Sequence, residues 1–256
     1  MAKKRSLRYF LKLAYHGKAY HGWQIQPNAF TVQEHINTQL STLLRKEINI
    51  VGAGRTDTGV HAKEMYAHFD FASKIKDTES VVKRLNKMLS PHTVVYDLIP
   101  VAEHAHARFD AEERSYRYYI NRQRNPFQHH LAANIFYPLD FDLMQQATEV
   151  LCFKGDFSSF CKSRTQTKTN ICEIREAFWE QYDGQWVFQI SADRFLRNMV
   201  RAIVGSLLEV GKGKMSLLDF KTMIKAQDRR LAGESVPAQG LYLTRVKYPT
   251  EIFLHV

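Results

Sequence analysis

The chain has 256 residues, 45% of them hydrophobic and 12% aromatic, enough to bury a full core in one large domain or two small ones and to set disorder aside. Its 36 Lys and Arg outnumber 26 Asp and Glu, a formal charge of +10 whose simplest explanation is a polyanionic partner. With no apolar run of about 18 residues and no apolar leader after Met1, a membrane span and a signal peptide are excluded and a soluble, cytoplasmic protein is expected.

In chain order, residues 7–15 are apolar and aromatic enough for a strand. Thr31 and Glu34 have capping-box spacing and open a helix whose apolar face is Val32, Ile36, Leu40, Leu43 and Leu44. Residues 47–51 read as a second strand, and Met65, Ala67, Phe69 and Phe71 alternate as a third. A helix over 77–89 closed by Pro91 and a strand over 93–101 follow. That order is β-α-β-β-α-β, the ferredoxin-like arrangement. The second half repeats it: a strand over 115–121, a helix over 140–152, and a hairpin of 170–180 with 186–191 across Asp183-Gly184. A long helix over 194–209 ends at Gly211, a shorter one starts at Ser216, and a last strand covers 240–248.

The expected fold is therefore α/β (α+β), two ferredoxin-like halves, residues 1–106 and 107–256, sharing a mainly antiparallel sheet with a basic cleft between them. The periodicity breaks near 102–112, where the boundary should fall, and pockets favour such junctions.

Three features carry chemistry. The segment Gly52-Ala-Gly-Arg55-Thr-Asp57-Thr-Gly59 gathers three glycines around one arginine and one carboxylate, either a tight turn whose Asp caps its own backbone or a loop that lets a ligand approach closely. It lacks the Lys-Ser/Thr ending of a phosphate-cradling loop. On the expected helix from Arg194, Arg194 and Arg201 share a direction with Arg197 and Asn198 beside them, opposite Leu196, Met199, Val200, Ile203 and Leu207. Such a face is either merely solvated or suited to phosphates or a buried carboxylate. Tyr116, Tyr118 and Tyr119 alternate with Arg114 and Arg117, a core strand in the case of Tyr118 and, for Tyr116, a flat partner for an unstacked base. The basic residues Lys3, Lys4, Arg5 and Arg8 are expected to meet solvent or RNA backbone. Neither the eleven histidines nor Cys152, Cys161 and Cys172 show a metal-ligand spacing, and the cysteines read as reduced thiols.

Gly52-Ala-Gly-Arg-Thr-Asp57-Thr-Gly-Val-His-Ala62 resembles the signature loop of the TruA-type tRNA pseudouridine synthases. Further blocks match in family order: Tyr20 to Gln24 with Thr31 to Gln33, Arg114 to Tyr118, Asp156 to Phe160, Phe195 to Arg201, and Pro237 to Leu241. Thr58 stands where the family commonly has Ala, and Gly155 where it often has His. The resemblance implies an isomerase that converts uridine to pseudouridine at positions 38, 39 and 40 of the tRNA anticodon stem-loop, with no cofactor and no metal. It implies that Asp57 is the catalytic carboxylate, that Arg201 pairs with it, and that Tyr116 stacks on the flipped uracil and assists proton movement. Arg55 would fill the space or phosphates left by that base, Leu241 would wall the pocket, and the arginines Arg194 and Arg197 would bind the RNA. A homodimer with one tRNA lying across both subunits is also implied. A non-catalytic RNA-binding protein would share the charge and aromatics without needing Asp57 and Arg201, and a metal-dependent nuclease would cleave the tRNA.

Overall fold

The computed structural model describes residues 6–162 and 169–254, so the expectation for Lys3, Lys4 and Arg5 lies outside the described residues. The chain divides into two compact units, one comprising residues up to Glu112 and from Leu243 onward, the other Glu113–Tyr242. Both are α/β, and their strands are almost all antiparallel.

In the first unit, β1 (Leu7–Tyr15) leads to α1 (Val32–Leu44), the two-residue β2 (Val51–Gly52), β3 (His61–Phe71), α2 (Thr78–Met88) and β4 (Thr93–Val101). β1 lies between β4 and β3, while β2 pairs with β3, which gives the ferredoxin-like order β4-β1-β3-β2. As a central strand, β1 buries both its faces: Tyr9, Phe10, Leu11 and Leu13 are all sealed from solvent. Thr31 caps α1 by accepting from the Glu34 N–H at 3.4 Å, and Val32, Ile36 and Leu40 form its buried stripe.

The strand expected over 47–51 is confined to Val51–Gly52. Polar side chains of α1 take the backbone groups before it: Ile48 N–H donates to Ser41 Oγ at 2.8 Å, Ile50 N–H to Asn37 Oδ1 at 3.0 Å, and Gln33 Nε2 to Ile50 O at 2.8 Å. Those amides are satisfied without a sheet partner.

The second unit runs β5 (Glu113–Asn121), β6 (Ala133–Asn134), α3 (Phe141–Glu149), β7 (Lys154–Asp156), β8 (Ile171–Tyr182), β9 (Gln185–Ala192), α4 (Met199–Gly211) and α5 (Leu217–Ala226). Its sheet has the order β5-β9-β8-β7, with β6 as a short parallel pair on β5. Asp183 at φ 50° and Gly184 at φ 72° turn the β8–β9 hairpin, a two-residue connection with both centres left-handed. Ser216 and Asp219 form a reciprocal capping box at α5. The last strand, β10 (Leu241–Lys247), starts in the second unit, and its Val246 N–H donates to Glu64 Oε1 of β3 at 2.9 Å in the first.

The helix expected from Arg194 begins five residues later. Asn198 takes a left-handed conformation at φ 65°, which an α-helix interior does not admit, and Asp193 Oδ1 accepts from the N–H groups of Arg194 and Glu173 at 2.7 and 2.8 Å. Arg194 and Arg197 therefore precede α4 and do not share a helical face with Arg201. Nor is α4 two-faced: of its 13 residues only Arg201 and Glu209 escape full burial.

Candidate active site

The loop from Ala53 to Val60 joins β2 to β3, and its backbone is held from beneath by the segment after β1. Trp23, 1% exposed, packs on Gly52 so closely that a Cβ there would sit 2.5 Å from the indole. Trp23 N–H donates to Thr56 O at 3.2 Å, and the Tyr15 and Thr56 hydroxyls lie 2.8 Å apart. Gly22, at φ +87°, passes so near that a Cβ would fall 2.5 Å from Thr56 O. On the far side Gly17 N–H donates to His61 Nδ1 at 3.1 Å.

The turn itself is closed by Val60 N–H donating to Asp57 O at 3.1 Å, with Gly59 at φ 81°, a conformation that other residues reach only under strain. The outcome is a rigid backbone presenting a half-buried Asp57 between an exposed Arg55 and an exposed Thr58. Thr58, where this loop departs from the resemblance, is exposed to solvent. Of the clamp residues, Tyr15 was expected only as the end of the first strand, Gly22 and Trp23 fell within the family block Tyr20 to Gln24, and Gly17 carried no sequence reading.

In the second unit Tyr116 and Tyr118 differ in burial. Tyr118 is wholly buried, its hydroxyl donates to Pro237 O at 2.9 Å, and burial pushes its phenol well above the usual range. Tyr116 is only half-buried, paired with Ile190 across the ladder and edge-on to Phe195, with ring centroids 5.1 Å apart.

Arg201 is fixed by the segment after α5: its Nε donates to Val236 O at 2.8 Å, while Val236 N–H donates to Arg201 O at 3.2 Å. That segment presses on α4. Gly233 N–H donates to Ser206 Oγ at 2.9 Å, a Cβ on Gly205 would collide with the Glu234 carbonyl, and Asn198 Nδ2 donates to Ser235 Oγ at 2.5 Å. Leu241, 6% exposed, follows Gly240, where a Cβ would lie 2.7 Å from the Tyr118 ring. Of the two remaining arginines, Arg194 is half-buried and Arg197 exposed.

Arg8 does not face solvent as expected. Its guanidinium grips Asp70 with two bonds of 2.7 and 2.8 Å and donates a third to Ala105 O at 2.9 Å, and the Arg8 bond holds the Asp70 carboxyl below its ordinary range. The cysteines are free thiols, Cys161 and Cys172 buried, Cys152 exposed, and burial raises Cys172 to about 12. Among the described residues, no group of three or more His, Cys, Asp or Glu could hold a metal ion, and no helix is long and apolar enough to cross a membrane.

The family described as tRNA pseudouridine synthase matches residues 153–249. The tRNA pseudouridine synthase A of Azobacteroides pseudotrichonymphae is 50% identical over 246 residues, covering 96% of this chain and 98% of its own. That of Bacteroides fragilis is 51% identical over 247 residues with the same coverage. The chain belongs to the tRNA pseudouridine synthase A family. A more distant tRNA pseudouridine synthase A, from Bacillus licheniformis, is 38% identical over 240 residues, 92% of this chain and 97% of its own. The matched stretch 153–249 holds Arg194, Arg197, Arg201 and Leu241, whereas Asp57 and Tyr116 lie before it. Family membership over both units thus rests on the full-length relatives.

Proposed function

We propose that this chain isomerises uridine to pseudouridine at positions 38, 39 and 40 of the tRNA anticodon stem-loop, with Asp57 as the catalytic carboxylate and no cofactor. The observation that carries the reading is 50% identity to a tRNA pseudouridine synthase A over 96% of the chain. The Asp57 loop supports it chemically, because a carboxylate on a backbone clamped by Trp23, Gly22 and Tyr15 keeps its geometry while a nucleotide is turned against it.

The reaction breaks the bond from ribose C1′ to uracil N1, rotates the uracil, and forms a bond from C1′ to C5. The proton leaves C5 and N1 gains one, so nothing is added or lost. An ionised carboxylate serves either by adding covalently to the sugar or base or by taking a sugar proton to give a glycal. In this proposal Arg201 is the cation that pairs with the Asp57 carboxylate and orients it. The fixed Nε of Arg201 suits that task, since one end of the guanidinium is already anchored on Val236 O.

Tyr116 stacks on the flipped uracil and assists proton movement, its half-exposed ring contrasting with the sealed Tyr118. Arg55, exposed at the tip of the loop, occupies the space or phosphates vacated by that base, and Leu241 walls the pocket. Arg194 and Arg197 contribute positive charge toward the RNA backbone. The protein works as a cytoplasmic homodimer across which one tRNA lies, a part of the proposal that rests on the family resemblance.

The test is tritium release from tRNA labelled at uridine C5, with pseudouridine mapped by chemical labelling and primer extension. Asp57→Asn is expected to bind tRNA and release no tritium, and retained release removes Asp57 from the mechanism. Cleaved tRNA, or activity abolished by a chelator, refutes the isomerase reading itself.

A further inference from the structure

Between β4 and β5 the segment from His106 to Asp110 forms a turn in which every backbone amide is satisfied. His106 N–H donates to Asp110 Oδ2 at 2.8 Å and Asp110 N–H to His106 O at 3.0 Å. Ala107 N–H donates to His68 Nδ1 at 3.1 Å, and the N–H groups of Arg108 and Phe109 share His106 Nδ1 at 3.1 and 3.3 Å. The Tyr248 hydroxyl donates to Ala107 O at 2.5 Å. Five amides, two imidazoles, one carboxylate and one phenol thus fix a stretch with no regular secondary structure.

What this rigid turn presents outward is a large apolar ring. Phe109 is 74% exposed, one of the most exposed aromatics in the chain. Its ring rests on His106, centroids 4.2 Å apart at 32°, so it is braced from within while most of its surface stays open. Arg108 lies beside it, the guanidinium carbon 5.8 Å from the ring centroid. Ordering an exposed phenylalanine gains nothing from folding; a flat hydrophobe held still beside a guanidinium is complementary to a base stacked on one side and a phosphate on the other.

We propose that Phe109 is a stacking platform for an unpaired base of the RNA substrate, with Arg108 as the adjoining phosphate contact. This rests on the reading of the chain as a tRNA-modifying enzyme and adds to it a docking contact that positions the RNA without touching the reacting nucleotide. Nucleic acid is the fitting occupant because the chain carries +10 overall and the ring's immediate neighbours on this turn are Arg108 and His106. Removing such a stack should weaken binding by about tenfold.

The experiment measures tRNA affinity and pseudouridine kinetics for the full chain carrying Phe109→Ala or Phe109→Trp, with a fully paired RNA duplex as a second ligand. Phe109→Ala is expected to raise Kd and KM for tRNA about tenfold with kcat little changed, and to leave duplex binding as it was. Phe109→Trp should keep wild-type affinity, and the fluorescence it adds over the parent should be quenched when tRNA binds. Unchanged tRNA affinity in Phe109→Ala together with an unquenched Trp overturns the proposal. So does a change of oligomeric state in Phe109→Ala, which assigns the ring to a second copy of the chain. If the wild-type protein forms no pseudouridine, the functional reading fails on its own, and the binding arms still report on Phe109.

Discussion

Acid should unfold this protein partly through one buried imidazole, His68. It sits on β3, 5% exposed, with Nδ1 accepting the Ala107 N–H, which fixes the neutral tautomer with the proton on Nε2. Burial is the main reason its pKa falls from 6.5 to about 4, and the neighbouring Arg8 guanidinium and His106 push the same way against Asp70 and Asp110. Above pH 6.5 the imidazole is neutral in both folded and unfolded chains and contributes no pH dependence. As pH falls from 6.5 toward 4 the unfolded chain takes up a proton that the native state refuses, so stability is lost across that window and no further below it. At about 1.4 kcal/mol per unit, the interval corresponds to roughly 3 kcal/mol. Asp70 loses stabilisation only at lower pH, because Arg8 holds its carboxyl below the ordinary range. The comparison is wild type against His68→Gln, whose Oε1 can accept the Ala107 amide but cannot titrate. Urea unfolding at pH 7 and pH 4 should show wild type losing about 3 kcal/mol more than the variant, with similar m-values. Parallel pH profiles for the two proteins would refute the argument, because every other titrating group is common to both.

Two further substitutions probe the packing that fixes Arg201. In most helix interiors Gly→Ala gains about 1 kcal/mol, but Gly205→Ala should reverse the sign and cost about 1–3 kcal/mol, because the methyl meets the Glu234 carbonyl; a higher Tm would contradict this. Tyr118→Phe removes the hydroxyl bonded to Pro237 O and should lower stability by about 1 kcal/mol while leaving kcat unchanged, and an altered kcat would mean that Tyr118 acts in the reaction.

What could be read from the sequence was set locally. Thr31, Asp77, Asp140 and Ser216 each cap a helix, and the side chain of each accepts a backbone N–H from its own first turn. Asp183-Gly184 names its own hairpin, and the fourth strand, expected over 93–101 after the helix closed by Pro91, is Thr93–Val101. The two misread elements share a different cause, side chains outside the segment that take its backbone or polar groups. Residues 47–51 have strand-like composition, yet Asn37 and Ser41 of α1 take the amides of Ile50 and Ile48. Residues 194–198 have helical composition, yet Asp193 and Ser235 hold them in another shape.

The same distinction separates the arginines of the candidate site. Arg194, Arg197 and Arg201 fall close together on a helical wheel, but the Arg201 guanidinium is bonded to a main-chain carbonyl, that of Val236, 35 residues later. A guanidinium anchored in this way has lost most of its rotamer freedom before any ligand arrives, so its charge is aimed and little further entropy is lost when it engages an anion. Arg197 is exposed on the segment before α4, and an exposed guanidinium suits a mobile phosphate better than a fixed carboxylate. The Asp57 loop follows the same logic, since its rigidity comes from Tyr15 and Trp23, more than thirty residues away. In both places the candidate residue is written in a short motif. Its fixed placement is written in the residues that hold the motif still.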